Sequence, residues 1–102
     1  MSVKRRQQLD ARLARLFDRL AECEAGDAAG ALAWTIRHGR ELLEHGEPRI
    51  ALEDVCSNLG EEGAIVALAP GLYEEIEALG RAYGMAARDY DFLRSLVRTS
   101  IV

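Results

Sequence analysis

The feature that most constrains this chain is the spacing of its apolar residues. From Val3 onward, leucines and other apolar side chains recur at intervals of three and four, and glycine or proline interrupts the pattern at each break. That spacing is the period of a helix lying on a core, whereas a half-buried strand needs alternation in twos, which no stretch sustains. The expected fold is therefore all-α: one compact domain over residues 1–102, with about five helices packed as a bundle. At 49% apolar residues, a chain of this length can bury a core of its own.

A first helix is expected over about Val3 to Cys23, with Leu9, Leu13, Leu16, Phe17 and Leu20 as its inner stripe. Gly26 ends it, and Asp27 is placed to cap the next. The second, about Ala28 to His45, carries Leu32, Ile36, Gly39 and Leu43 on one face and stops at Gly46. Pro48 opens the third, because proline suits the first helical position, and Ala51, Leu52, Val55, Cys56 and Leu59 face inward until the helix ends near Gly60 to Gly63. Ala64 to Ala69 reads as a buried connection or a short helical turn. A fourth helix follows Pro70 and buries Leu72, Tyr73, Ile76, Leu79, Gly80 and Tyr83, with Gly84 as a left-handed terminator. A last helix, about Arg88 to Ser100, buries Tyr90, Leu93, Leu96 and Val97.

No catalytic apparatus emerges from this pattern, and no cofactor or metal is expected. His38 and His45 share a face with Glu41 between them, but two helical turns separate the histidines by about 10 Å, too far to share one ion unaided. Cys56 lies on an inner stripe, and Cys23 stands beside Glu22 and Glu24, so neither suits a thiolate nucleophile. The nine glycines fall at helix ends and at the packing positions 39 and 80 rather than in a phosphate-binding loop. Nothing resembles a signal peptide, and the longest uncharged run, Gly63 to Tyr73, is too short to span a membrane, so a soluble cytoplasmic protein is expected.

Charge is segregated along the chain more strongly than the net value of -4 suggests. Residues 4–19 carry six basic side chains against two acids, a surplus of +4, while residues 41–77 carry ten acids against Arg49 alone, a surplus of -9. Glu41, Glu44 and Glu47 stand at the end of helix 2, and Glu61 and Glu62 at the end of helix 3, where the macrodipole disfavours negative charge by about 0.3–1 kcal/mol each. Stability alone would not choose those sites. The acids of helix 4 look more structural, since Glu77 can pair with Arg81 and Glu74 lies two turns from it. The candidate partner-binding patch thus comprises Glu41, Glu44 and Glu47 with Glu53, Asp54, Ser57 and Glu61. Trp34 and Ile50 fall off the inner stripes of helices 2 and 3. Either those helices are buried on two sides, or the two residues are apolar anchors inside an acidic rim.

The run from Gly46 to Leu59, which fits the pattern GEPxxALExxCxxL, resembles the MafI family of bacterial immunity proteins. Similar features follow it: the acidic pair Glu61 and Glu62, a helix like Leu72 to Tyr83, and a short final helix with Tyr90 and Leu93. The resemblance extends over most of the chain, with the central motif its distinctive part. It implies a small cytoplasmic antidote that binds and blocks a polymorphic toxin, often a nuclease, delivered by neighbouring cells. An acidic surface suits a partner with a basic nucleic-acid cleft. Helix 1 is more basic than that picture needs, and Gly46 and Glu47 can be shared for the architecture of a helix corner.

The alternative function is a small regulatory or nucleic-acid-binding module using the basic stripe Lys4, Arg12, Arg15 and Arg19 of helix 1, although no aromatic residue interleaves that stripe. The same stripe could instead dock onto acids of its own chain or of a second copy, making a homodimer.

Overall fold

The computed structural model describes residues 2–23, 26, 29–62 and 67–97, the side chain of Glu62 excepted. The expected cap at Asp27, the start at Ala28, residues 64–66 of the link, and the end of the last helix from Arg98 to Ser100 lie outside the described residues. Four α-helices carry the fold: α1 (Val3–Leu20), α2 (Ala29–Glu44), α3 (Pro48–Glu62) and α4 (Leu72–Ala82). They are followed by two 3-10 helices, Ala87–Asp89 and Asp91–Leu96. The all-α class and the bundle-like packing follow from this order.

The helix boundaries have local causes. Ser2 caps α1, its Oγ accepting from the Arg5 N–H at 3.1 Å, which satisfies one of the donors a helix start leaves open. At the end of α2, Gly46 adopts φ +77°, and the N–H groups of Gly46 and Glu47 donate back to the carbonyls of Leu43 and Leu42. This is the paired bonding of a Schellman stop, and Gly84 (φ +79°) repeats it at the end of α4 through Arg81 and Gly80. Both positions need the left-handed backbone that glycine adopts without strain.

The core forms where the inner stripes meet. Leu13, Leu16, Phe17 and Leu20 of α1 are fully buried with Leu52 and Leu59 of α3 and Leu72, Ile76 and Leu79 of α4. Helix α2 contributes Leu32, Thr35, Ile36 and Gly39, while Leu42 and Leu43 pack at the margin. A Cβ on Gly39 would lie 2.7 Å from Val55 Cγ2 and 3.2 Å from Phe17 Cζ, so the small residue is what allows α2 to approach both neighbours.

Of the two readings of the link, Leu68 fits the buried connection, while the last helix differs from the expectation. Leu68, fully buried in the link between α3 and α4, is not in a helical turn: its N–H donates to the Leu96 carbonyl at 2.8 Å, and it forms an isolated parallel bridge with Val97. The last helix is not α over its described part. Tyr90 (φ -141°, ψ -20°) divides it, and the Tyr90, Leu93 and Val97 N–H groups donate three residues back, to Ala87, Tyr90 and Arg94. Tyr90 and Leu93 are buried and Leu96 half-buried, a spacing of three that matches the 3.0-residue turn of a 3-10 helix.

Polar contacts tie α1 to the rest. Arg12 grips Glu75 of α4 with two donors, at 2.6 and 3.3 Å, and Arg40 of α2 reaches Asp18 at 2.7 Å. Tyr83 Oη donates to Asp10 at 2.7 Å. Burial first, and this bond second, push the Tyr83 hydroxyl above the ordinary tyrosine value of about 10. A proton held more tightly in the folded state gives stability that is complete below pH of about 10 and is lost as the pH rises beyond it. Urea midpoints are therefore expected to fall above that pH in the native chain and to fall less in Tyr83→Phe, which should start about 1 kcal/mol less stable at neutral pH. Parallel pH profiles for the two proteins would remove Tyr83 from this account.

Candidate functional site

The outward stripe of α3 and the 3-10 turns enclose an open groove of about 620 Å³. Five of the expected patch residues line it: Ile50, Glu53, Asp54, Ser57 and Glu61. They stand together because positions 50, 53, 54, 57 and 61 recur at the helical period on the face opposite Ala51, Val55 and Leu59. Ile50 is 49% exposed, and Glu53 is held by Arg49 at 2.7 Å along the same helix.

Trp34 joins this surface from α2. It is 51% exposed, so α2 is not buried on both sides, and its ring stacks on His38 with centroids 5.2 Å apart. His38 Nδ1 in turn donates to Asp54 Oδ2 at 2.9 Å, and Asn58 reaches the same oxygen at 3.3 Å. A continuous path therefore runs from an exposed indole through an imidazole to a carboxylate on the groove. His38, expected as a solvated face residue, is half-buried and links the two helices. His45 Nδ1 instead donates to the Glu41 carbonyl at 2.7 Å.

The remaining expected acids do not enter the groove. Glu41 is exposed on the Trp34 and His38 face of α2, and Glu44 is exposed farther round. Glu47 corrects the dipole argument: its carbonyl accepts from the Ala51 N–H at 2.9 Å, so it sits at the start of α3, where negative charge is favoured. Neither α2 nor α3 carries a basic residue in its last turn, so nothing there compensates Glu61 locally.

Sequence reasoning missed the far wall of the groove, Arg88, Asp89 and Phe92. Phe92 is 42% exposed, and it lies outside the spacing of three that buries Tyr90 and Leu93; that exclusion was the available signal. Gly60 was also missed: a Cβ there would stand 2.5 Å from Phe92 Cε2, so the ring lies on the bare backbone of α3.

The cysteines offer no nucleophile here. Burial pushes the Cys56 thiol up to about 12, and burial is also the main reason that the half-buried Cys23 thiol is raised. On α4, Glu77 meets Arg81 and Arg94 at 3.6 Å and Glu75 meets Arg12, so those acids are engaged within the chain, whereas Glu74 has no ion pair among the described residues. One member of the basic stripe, Arg12, is accordingly occupied. No described helix is long and apolar enough to cross a membrane.

No family model, curated protein or solved structure matches the chain. Within the motif Gly46 to Leu59, the fixed letters divide by role: Gly46 forms the Schellman stop, Pro48 begins α3, and Ala51, Leu52, Cys56 and Leu59 are buried. Among them Gly46 and Glu47 are exposed and Glu53 is half-buried. The motif is thus mainly a specification of the α2–α3 corner.

Proposed function

We propose that the chain acts by binding a protein, as an immunity protein that neutralises a cognate toxin through the acidic α2–α3 surface. The observation that carries the reading is the pair of half-exposed apolar residues, Trp34 and Ile50, standing on the same side of the α2–α3 hairpin as Glu41, Glu53, Asp54 and Glu61. About half of each of these side chains meets water amid like charges, apolar area that the monomer leaves uncovered. Central aromatic anchors with a charged rim are the usual makeup of an energetic interface. The rim would steer a basic partner and fix its register, while the anchors supply the desolvated contact. The resemblance of the central motif to the MafI family supplies the class of partner, and a nuclease is the toxin whose cleft best complements this charge.

The test is co-expression with the product of an adjacent toxin-like gene, followed by titration of the purified partners. Reversal of Glu53 and Asp54 to lysine is expected to weaken the complex about 100-fold, and Trp34→Ala about tenfold or more. Undiminished affinity after reversals across the whole face would remove this surface from the account. Failure of any complex to form would remove the toxin reading itself.

A further inference from the structure

The groove has a polarity along its length. It follows α3 from Ile50 in the first turn to Glu61 in the last, about 16 Å at 1.5 Å per residue. Four acids, Glu53, Asp54, Glu61 and Asp89, face one base, Arg88, leaving a lining charge of -3. The acids are not equivalent. Glu53 is already paired with Arg49, and Asp54 with His38, whereas Glu61 and Asp89 have no ion pair among the described residues. These two stand beside the Phe92 end, since Glu61 follows Gly60, on which the ring is seated, and Asp89 lies three residues before Phe92 on the same wall of the groove. The Phe92 ring is seated on Gly60 and still presents 42% of its surface. A seated, exposed ring beside two carboxylates that have no ion pair among the described residues complements a flat cation better than a point charge. Guanidinium can stack on the ring and donate in a fork to a carboxylate, which an ammonium group cannot do.

We infer that this groove seats an arginine-bearing segment of the protein partner, the guanidinium lying on Phe92 between Glu61 and Asp89 and an aliphatic side chain about five extended residues along the segment covering Ile50. This deepens the reading of the α2–α3 surface as a protein-binding face and rests on it. The -3 lining repels a nucleic-acid backbone, which sets a protein segment apart from an oligonucleotide.

The inference is tested without any toxin, by NMR titration of the isotope-labelled chain with an arginine-leucine peptide of about twelve residues and with its citrulline and lysine counterparts. Shifts centred on Gly60, Glu61, Asp89 and Phe92 are expected, with the arginine peptide at least about tenfold tighter than the citrulline one and the lysine peptide between them. Phe92→Ala and the pair Glu61→Gln with Asp89→Asn should each weaken the arginine peptide about tenfold while leaving the remaining spectrum in place. Gly60→Ala, which displaces the ring, should do the same, with its thermal unfolding measured alongside. Equal binding of the citrulline peptide, shifts confined to other faces, indifference to Phe92→Ala, or preferential uptake of a short oligonucleotide would each overturn it. A peptide that seats in the groove while no toxin complex forms removes only the toxin reading. A toxin complex indifferent to Phe92→Ala and to the Glu61 and Asp89 pair removes only this inference.

Discussion

Phe17→Ala is expected to lower the free energy of unfolding by about 3–5 kcal/mol, because its ring is fully buried where α1, α2 and α3 meet. For a domain of this size that corresponds to a fall in Tm of roughly 15–30 °C. The same site makes a sharper prediction about coupling. Gly39→Ala places a methyl group 2.7 Å from Val55 Cγ2 and within 3.2 to 3.3 Å of the Phe17 ring. Alone it should cost about 1–3 kcal/mol, despite a gain of roughly 1 kcal/mol in helix propensity. With Phe17 truncated the ring contacts are gone and the vacated space lets α2 and Val55 shift apart, so the double variant should be more stable than the sum of the two single losses by about 1 kcal/mol or more. Urea denaturation of the four proteins measures this. Strict additivity would show that α2 can withdraw from α1 at little cost, contrary to the close approach at Gly39.

Tyr90→Ala is expected to have an effect of similar size, about 3–4 kcal/mol, but localised to one end of the molecule. The Tyr90 ring lies on Gly80 of α4, where a Cβ would stand 2.9 Å from two of its carbons. Together with buried Leu93 it anchors the 3-10 turns, which in turn receive the Leu68 N–H at the Leu96 carbonyl. Without the ring, amides of Leu68, Leu93 and Val97 should exchange far faster with solvent, while the core amides of α1 and α3 keep more of their protection. Tyr90→Phe should preserve most of both. Uniform loss of protection throughout the chain would instead make the terminal turns part of one cooperative unit with the bundle. The groove shares this dependence, because Arg88, Asp89 and Phe92 lie on the segment that Tyr90 anchors.

The sequence alone determined the features that depend on near neighbours in the chain. Spacings of three and four identified the inner stripes of α1 to α4, because a side chain three or four residues on lies on the same helical face whatever the helix packs against. Gly46, Pro48 and Gly84 fixed helix ends because backbone dihedrals are local properties. The outward stripe of α3 was legible for the same reason, and all five of its expected residues line the groove.

Tertiary structure decided what depends on where elements cross. Whether Trp34 and Ile50 meet water depends on what covers the outer faces of α2 and α3, which periodicity cannot show. Glu75 finds Arg12 across 63 positions, and His38 finds Asp54 only because α2 folds back along α3. The 3-10 form of the terminal segment also goes with packing: its buried residues recur in threes, so that Tyr90 meets Gly80 while Phe92 meets Gly60. Local spacing set which faces the helices would bury, while the crossings of those helices set which outward residues share a site.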